Sequence, residues 1–329
     1  MKGMVLAAGQ GTRVRPLTYA TPKPMLSLLG KPILEHIIGF LKKSGISEIA
    51  INTSHLSEQI ESYFRDGSRH GVSLLFSFEG WKDGDVLVGQ ALGSAGGLRR
   101  VQDRYGFFDS TFVVMCGDAL IDLDLSKALA FHKEHGALAT IITKEVPKEE
   151  VFRYGVVVTD TDGRVVSFQE KPKVEEAKST MVNTGIYIFE PEIFNHIPAK
   201  GVYDIGGQLL PSLIEKGQGF YAITIPFDWI DVGSVSDFWR ATQAGLRGEL
   251  PSVTPPGEEV RPGIWLSPGA QIDFDSCDIK GPVFLGSGSI VYSGATIEGP
   301  TYIGSQVEIC KGAVVKNSFI DDYCTIGSG

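Results

Sequence analysis

The first residues that could do chemistry lie in a glycine-rich stretch near the N-terminus, LAAGQGTRVRPLTYATPKPM, at positions 6 to 25. Its two glycines and three cations are Gly9, Gly11, Arg13, Arg15 and Lys23. No acid occurs in residues 1 to 34, although the chain holds 39 acids. Glycine lets backbone N–H groups approach oxygen atoms closely, and the cations add positive charge. The stretch therefore predicts a loop that binds polyphosphate.

Two standard phosphate motifs do not describe this stretch. The dinucleotide fingerprint GxGxxG fails because Val14 stands where the third glycine belongs, and the P-loop pattern GxxxxGK[ST] fails as well. A tight turn with solvated cations is the alternative interpretation of a lone GxG. The three cations and the absence of acids weigh against that alternative.

Carboxylates further along the chain form a second candidate group. Asp118 closes the strand pattern TFVVMCGD, at the carboxyl end where ligands bind in parallel sheets, and Asp231 lies in DWIDVGS. Mg²⁺ prefers carboxylate and phosphate oxygens. A helix cap or turn is the alternative role for Asp118, and we interpret the nearby Asp122 and Asp124 as turn and cap residues.

The elements that must position these residues change character near residue 250. Before it, strand patterns such as GMVLAA, EIAINTS and TFVVMCGD alternate with helix patterns such as KPILEHIIGFLKKSG and LSKALAFHKEHG. This alternation predicts an α/β domain with a doubly wound, mostly parallel, Rossmann-like sheet over residues 1–248. A hairpin that turns at Asp162-Gly163 adds antiparallel strands.

A different architecture is predicted after a proline-rich linker at 249–262. Aliphatic residues then recur every six positions, at Ile279, Leu285, Val291, Ile297, Ile303, Ile309 and Val315. A hexad repeat predicts a parallel β-helix over 263–329, whereas the strands of a β-sandwich would show internal alternation. Because the sequence stops at Gly329 within a repeat, we expect that the stack is truncated there or that a partner covers its end.

Bulk composition excludes several classes of function. The net charge of −9 argues against a nucleic-acid or anionic-membrane surface. The cysteines, Cys116, Cys277, Cys310 and Cys324, form no CxxC pair, which favours a reducing compartment over a disulfide framework or structural zinc. With no membrane-span pattern and no signal peptide, the expected location is the cytoplasm.

At this point the motifs resemble a known family. LAAGQGTRVRPLT with PKPM is similar to the signature of the sugar-nucleotide pyrophosphorylases, which join an NTP to a sugar 1-phosphate and release pyrophosphate. The resemblance continues, in family order, through LGSAGGL, CGD, EKP, VNTGIY and WIDVG to about residue 245. The hexad repeat resembles the left-handed β-helix that many members carry at the C-terminus.

The resemblance implies a role for each matching residue. Arg13 would stabilise the α-phosphate and the leaving pyrophosphate, Lys23 would contact the phosphates of both substrates, and Asp118 and Asp231 would hold Mg²⁺. The catalytic set is then Arg13, Lys23 and Asp118. The implied nucleotide-binding residues are Leu6, Ala8, Gly9, Gly11, Thr12, Arg13, Gly93 and Gly96, the last two forming a loop against which the base would lie. The implied sugar-phosphate residues are Gly155, Glu170, Lys171 and Asn183.

The choice of substrate rests on the loop GSAGGL. It resembles the GTAGPL form of mannose-1-phosphate guanylyltransferases, with Gly97 in place of proline. The expected substrates are therefore GTP and mannose 1-phosphate. UTP or dTTP with glucose 1-phosphate is the alternative, and a non-catalytic sugar-nucleotide sensor is the alternative of a different class. All six histidines lie before residue 200, so we expect the repeats to support a homo-oligomer or regulation and to add no second reaction.

Overall fold

A computed structural model describes residues 1–250 and 253–328 of the chain. Pro251 and Ser252, in the predicted linker, and the terminal Gly329 lie outside the described residues. The chain divides into two compact units, Met1–Met25 with Ile37–Asp231 and Leu26–His36 with Val232–Gly329. Among the helices of the described ranges, none has both the length and the apolar composition that a membrane span requires.

The first fifteen strands along the chain are β1 Lys2–Leu6, β2 Ser27–Leu28, β3 Lys31–Pro32, β4 Glu48–Thr53, β5 Ser73–Phe78, β6 Gly80–Asp83, β7 Val86–Gly89, β8 Phe112–Cys116, β9 Ala119–Asp122, β10 Ala139–Glu145, β11 Gly155–Thr159, β12 Val165–Glu170, β13 Met181–Phe189, β14 Phe220–Thr224 and β15 Asp228–Asp231. The α-helices are α1 Ile33–Lys43, α2 Ser57–Phe64, α3 Ser94–Tyr105, α4 Leu125–Glu134, α5 Leu210–Glu215 and α6 Val235–Leu246. Asp124 caps α4 by accepting a hydrogen bond from the Ser126 amide, as predicted.

The main sheet of the first unit runs in the order β12-β11-β13-β8-β1-β4-β5; β10 also pairs with β13, and β14 pairs with β10. Its centre is parallel, because β1 pairs in parallel with both β4 and β8, and β4 pairs in parallel with β5. This confirms the predicted Rossmann-like arrangement. The β11–β12 hairpin is antiparallel and turns at Asp162-Gly163, also as predicted.

The register of the central strands aligns their carboxyl ends. Leu6 of β1 lies opposite Asn52 of β4 on one side and opposite Cys116 of β8 on the other. The residues that follow these positions, among them Ala7 and Asp118, therefore leave the sheet along one edge. The candidate site is built at this edge, as expected for an open α/β sheet.

The strands of the C-terminal repeats are β16 Glu258–Arg261, β17 Ile264–Leu266, β18 Gln271–Ile272, β19 Asp278–Lys280, β20 Val283–Leu285, β21 Ile290–Val291, β22 Thr296–Glu298, β23 Thr301–Ile303, β24 Glu308–Ile309, β25 Val314–Lys316, β26 Phe319–Ile320 and β27 Thr325–Ile326. Every third strand pairs in parallel: β17-β20-β23-β26, β18-β21-β24-β27 and β19-β22-β25. The hexad aliphatics fall on consecutive strands, and Leu285, Ile303 and Ile309 are buried inside the coil. The β-helix prediction is confirmed.

Two features near the predicted linker modify the sequence interpretation. β16 lies inside the predicted 249–262 linker and pairs antiparallel with β17. All four of its residues are exposed, so no apolar pattern marked it as a strand. Helix α6 belongs to the same compact unit as the repeats, and its Phe238 packs edge-on against Phe319. The domain limits at 248 and 262 remain a prediction.

Candidate active site

The opening loop closes on itself around Gly11. Gly11 has φ +62°, and a Cβ there would lie 2.9 Å from the Cβ of Lys23. The Thr18 hydroxyl donates a hydrogen bond of 2.8 Å to the Gly11 carbonyl. By contrast, a Cβ built on Gly9 would meet nothing within 4 Å. Gly11 is thus required by the loop's own packing, whereas Gly9 faces open space.

This loop surrounds a cavity of about 200 Å³. The lining residues are Leu6, Ala7, Gly9, Gly11, Thr12, Arg13, Val14, Lys23, Pro24 and Asp118. The structure therefore brings together the predicted phosphate loop, the predicted cations Arg13 and Lys23, and the carboxylate of Asp118. Of the other predicted site residues, all of which lie within the described ranges, none lines this cavity.

The strongest polar contact in the cavity joins Lys23 to Asp118. The Lys23 ammonium donates to Asp118 Oδ2 at 2.5 Å, and its side chain is buried while that of Asp118 is partly exposed. Sequence reasoning placed both residues in the site but did not pair them. Their contact fixes the lysine at the end of β8, where it adds charge next to the glycine loop.

The two predicted metal ligands are brought together by a small ladder. β15 pairs antiparallel with β9, and Asp231 lies opposite Ala119, the residue after Asp118. Burial raises the pKa of the Cys116 thiol well above its usual range, and the negative charges of Asp118 and Asp231 raise it further. The negative charges of both carboxylates therefore reach the buried Cys116 thiol at the end of β8.

A pair of carboxylates beside a phosphate-sized cavity fits Mg²⁺, which takes one or two carboxylates and completes its shell with water and phosphate oxygens. Within residues 1–250 and 253–328, no group of three or more His, Cys, Asp or Glu side chains could hold a metal alone. This arrangement suits an ion that is shared with a phosphorylated substrate.

Three of the predicted sugar residues lie on β11, β12 and β13, and the fourth, Lys171, directly follows β12. Gly155 pairs with Glu170, and a Cβ at Gly155 would lie 2.4 Å from the Phe168 ring, so the aromatic ring itself requires glycine there. Glu170 and Lys171 are exposed, with the Lys171 ammonium 3.4 Å from Glu170 Oε1. This pair is loose, unlike the contact between Lys23 and Asp118.

Asn183 is held within its own strand. Its Oδ1 accepts from the Gly185 amide at 2.8 Å, and its Nδ2 donates to the Tyr187 hydroxyl at 2.8 Å. A Cβ at Gly185 would lie 2.6 Å from Cys116 Sγ, so β13 closely approaches the end of β8 here. Burial raises the pKa of Tyr187, and the charge of Glu170 adds to that effect. Glu170, Asn183 and the end of β8 thus lie in one neighbourhood.

The predicted base loop is fixed by a neighbouring backbone segment. A Cβ at Gly93 would lie 2.6 Å from the Tyr203 carbonyl oxygen, and the Gly96 amide donates to that oxygen at 2.9 Å. The missing side chain of Gly93 therefore accommodates the backbone of Tyr203. That these glycines also leave room for a base remains a prediction.

Sequence reasoning missed two buried polar residues at the same edge, Asn52 at the end of β4 and Glu79 just after β5. Each is a polar residue that directly follows an apolar strand pattern, and this is the signal that could have identified them. Their hydrogen bonds reach both loops of the site.

The profile of the Nucleotidyl transferase family matches residues 2–247. The chain belongs to this family. It is 53% identical over 330 residues to a Synechocystis protein named UTP--glucose-1-phosphate uridylyltransferase, and the alignment covers 100% of this chain and 85% of that protein. These matches confirm the resemblance to the sugar-nucleotide pyrophosphorylases and identify the chain as a nucleotidyltransferase.

Other similar proteins match a smaller share of this chain. A Drosophila pseudoobscura pseudoobscura protein named Mannose-1-phosphate guanylyltransferase catalytic subunit beta is 34% identical over 238 residues, which is 72% of this chain and 60% of that relative. The crystal structure of HddC from Yersinia pseudotuberculosis superposes with a TM-score of 0.60 at 25% identity, covering 73% of this chain and 97% of HddC.

Proposed function

We propose that this nucleotidyltransferase transfers a uridylyl group from UTP to glucose 1-phosphate. The observation that carries the proposal is the 53% identity to the Synechocystis uridylyltransferase over the whole of this chain, repeats included. The expected pair of GTP and mannose 1-phosphate receives less support than its alternative. A Drosophila relative named for it is 34% identical and matches 72% of the chain, and a Mycobacterium tuberculosis relative is 32% identical and matches 81%.

The proposed reaction needs no protein nucleophile. A phosphate oxygen of glucose 1-phosphate attacks the α-phosphorus of UTP, the bond from that phosphorus to the bridging oxygen breaks, and pyrophosphate leaves with the electron pair. Because two polyanions must meet, catalysis consists mainly of positioning and charge neutralisation. The cavity beside Arg13 and Lys23 provides these functions through its glycine loop and its two cations.

The residues of the nucleotide side and of the sugar side then have separate roles. Arg13 neutralises the departing pyrophosphate, and Lys23, oriented by Asp118, contacts the phosphates. When bound by Asp118 and Asp231, Mg²⁺ would supply further positive charge at the triphosphate. Glu170 and Asn183 would bind sugar hydroxyl groups, and Lys171 would bind the sugar phosphate.

Pyrophosphate release across a grid of four NTPs and two hexose 1-phosphates, glucose and mannose, tests this proposal. We expect kcat/KM for UTP with glucose 1-phosphate to exceed every other pair by at least about tenfold, and EDTA to abolish the reaction. A higher value for GTP with mannose 1-phosphate would favour the other substrate pair. Absence of turnover with all pairs would favour the sugar-nucleotide sensor and overturn the proposal.

A further inference from the structure

A buried chain of hydrogen bonds connects the two loops that are proposed to hold the nucleotide. The Ala7 amide, at the start of the phosphate loop, donates to Asn52 Oδ1 at 2.8 Å. Asn52 Nδ2 donates to Glu79 Oε1 at 2.8 Å. Glu79 Oε2 accepts from the Leu92 amide at 2.8 Å, at the start of the base loop. Two side chains thus span the distance between the loops.

The two side chains of this link are buried. Asn52 is 2% exposed and Glu79 is 1% exposed. A Cβ at Gly97 would lie 2.1 Å from Glu79 Oε1, so a glycine at this position leaves room for the carboxylate. Burial raises the pKa of Glu79, and the hydrogen bonds from Asn52 and Leu92 partly offset this. A carboxylate is costly to bury, and this one is buried without lining the cavity of the phosphate loop.

The backbone around Glu79 is fixed as well. Its amide donates to the Thr53 carbonyl at 2.7 Å, and its carbonyl accepts from the Gln90 amide at 2.9 Å and from the Ser54 hydroxyl at 3.1 Å. The side chain therefore has a rigid base, and a change in its bonds is transmitted to the loop residues at either end.

We propose that Asn52 and Glu79 are positioning residues that set the spacing between the phosphate loop and the base loop, and that through this spacing they determine the affinity for the nucleotide. This inference rests on the proposed function, since it requires that both loops bind one NTP. It assigns neither residue a contact with substrate.

The direction of the hydrogen bonds makes the proposal testable. The amides of Ala7 and Leu92 can only donate hydrogen bonds, so each of the two side chains must present an acceptor oxygen to its amide. Where the two side chains meet, one must donate and the other must accept. Asparagine with glutamate satisfies this requirement. Glu79→Gln does not, because every orientation of the two amide groups leaves two N–H donors facing each other. Asn52→Asp fails in the opposite way, by placing two carboxylate oxygens in contact.

The double variant Asn52→Asp/Glu79→Gln reverses the central bond and satisfies every group again. The introduced aspartate would accept from the Ala7 amide and from the side-chain amide of the introduced glutamine. The side-chain oxygen of that glutamine would accept from the Leu92 amide. The net charge is unchanged. This swap therefore separates the pattern of hydrogen bonds from the presence of a particular carboxylate.

The experiment measures KM for UTP, KM for glucose 1-phosphate, kcat and Tm for the wild type and these three variants. For each single variant we expect KM for UTP to rise about tenfold, the change expected when a buried partner is lost, with kcat and KM for glucose 1-phosphate within about twofold. In the double variant, KM for UTP should return to within about threefold of wild type.

Glu190→Gln is the matched control. Glu190 Oε1 accepts from Thr111 and His132, and we place it outside the site. This variant should lower Tm without changing KM for UTP. If the single variants lower Tm in the same way and leave KM for UTP unchanged, the link is only structural and the proposal is wrong. A double variant as impaired as the singles also overturns it, and so does an insoluble one.

Calorimetric titration with UTP and Mg²⁺ distinguishes failure of this inference from failure of the proposed function. If the wild type binds UTP but does not turn it over, the proposed reaction is wrong, and the Kd series of the variants still tests the link. If the wild type binds no NTP, both fall together.

Discussion

The nucleotide side and the sugar side of the site each hold a lysine that we propose binds phosphate, but the two lysines are held very differently. The side chain of Lys23 is 8% exposed and lies 2.5 Å from Asp118, whereas that of Lys171 is 56% exposed and lies 3.4 Å from Glu170. An exposed ion pair contributes roughly 0–1 kcal/mol, so Lys171 is free to move toward a ligand. We therefore expect the proposed nucleotide side to be formed before substrate binds, and the proposed sugar side to become ordered when its substrate binds.

Removing a carboxylate that is proposed to hold Mg²⁺ should reduce activity more than any other change considered. We expect Asp118→Asn or Asp231→Asn to reduce kcat by at least about a hundredfold, because each weakens the charge that balances the triphosphate. Steady-state pyrophosphate release at several Mg²⁺ concentrations measures this. Asp124→Asn, which weakens only the cap of α4, is the control and should keep near-normal rates. Near-normal rates in both site variants would remove the two-carboxylate site.

Removing one cation from each side of the site should affect different kinetic constants. We expect Arg13→Ala to lower kcat about tenfold, since its charge matters most as pyrophosphate leaves, and Lys171→Ala to raise KM for glucose 1-phosphate by a similar factor. Initial rates with each substrate varied in turn give both constants. An effect of Lys171→Ala on KM for UTP alone would mean that the EKP segment does not serve the sugar side.

Substitutions of the two loop glycines, Gly9 and Gly11, should separate an effect on stability from an effect on nucleotide binding. Gly11→Ala forces a side chain into left-handed backbone against Lys23 and should destabilise the fold by about 1–3 kcal/mol. Gly9→Ala meets no protein atom, so its Tm should stay near that of the wild type, while KM for UTP rises because the new methyl group enters the proposed nucleotide space. Thermal unfolding with kinetics on both variants checks this. A stable Gly9→Ala enzyme with unchanged KM would place the triphosphate elsewhere.

Patterns that are local in the sequence predicted the architecture of both units. The hexad repeat specified the β-helix because one inward aliphatic per strand is a local pattern. The strand-helix alternation and the Asp162-Gly163 turn were equally local. Strand β16 was missed because Glu258–Arg261 is wholly exposed, and an exposed strand carries no apolar signal.

The candidate site shows the same limit. Motifs located the phosphate loop and the two aspartates, but not the contact of Lys23 with Asp118, which are 95 residues apart in the sequence. The packing of Gly93 against the backbone of Tyr203 was not predicted, because Tyr203 comes from a distant segment of the sequence. The contact between Asn52 and Glu79 depends on the register of the strands. Tertiary packing sets this register, and a short sequence motif does not reveal it.

The most direct test of the contrast between the two sides is to measure glucose 1-phosphate binding with and without nucleotide. Calorimetry would titrate the sugar phosphate into the free protein and into protein saturated with Mg²⁺ and a UTP analogue whose α–β bridge cannot be cleaved. A prebuilt nucleotide side predicts that the analogue binds the free protein and that its presence lowers the Kd for glucose 1-phosphate at least about tenfold, or 1.4 kcal/mol. The same Kd in both titrations would show that the sugar side is already complete, and would contradict this account.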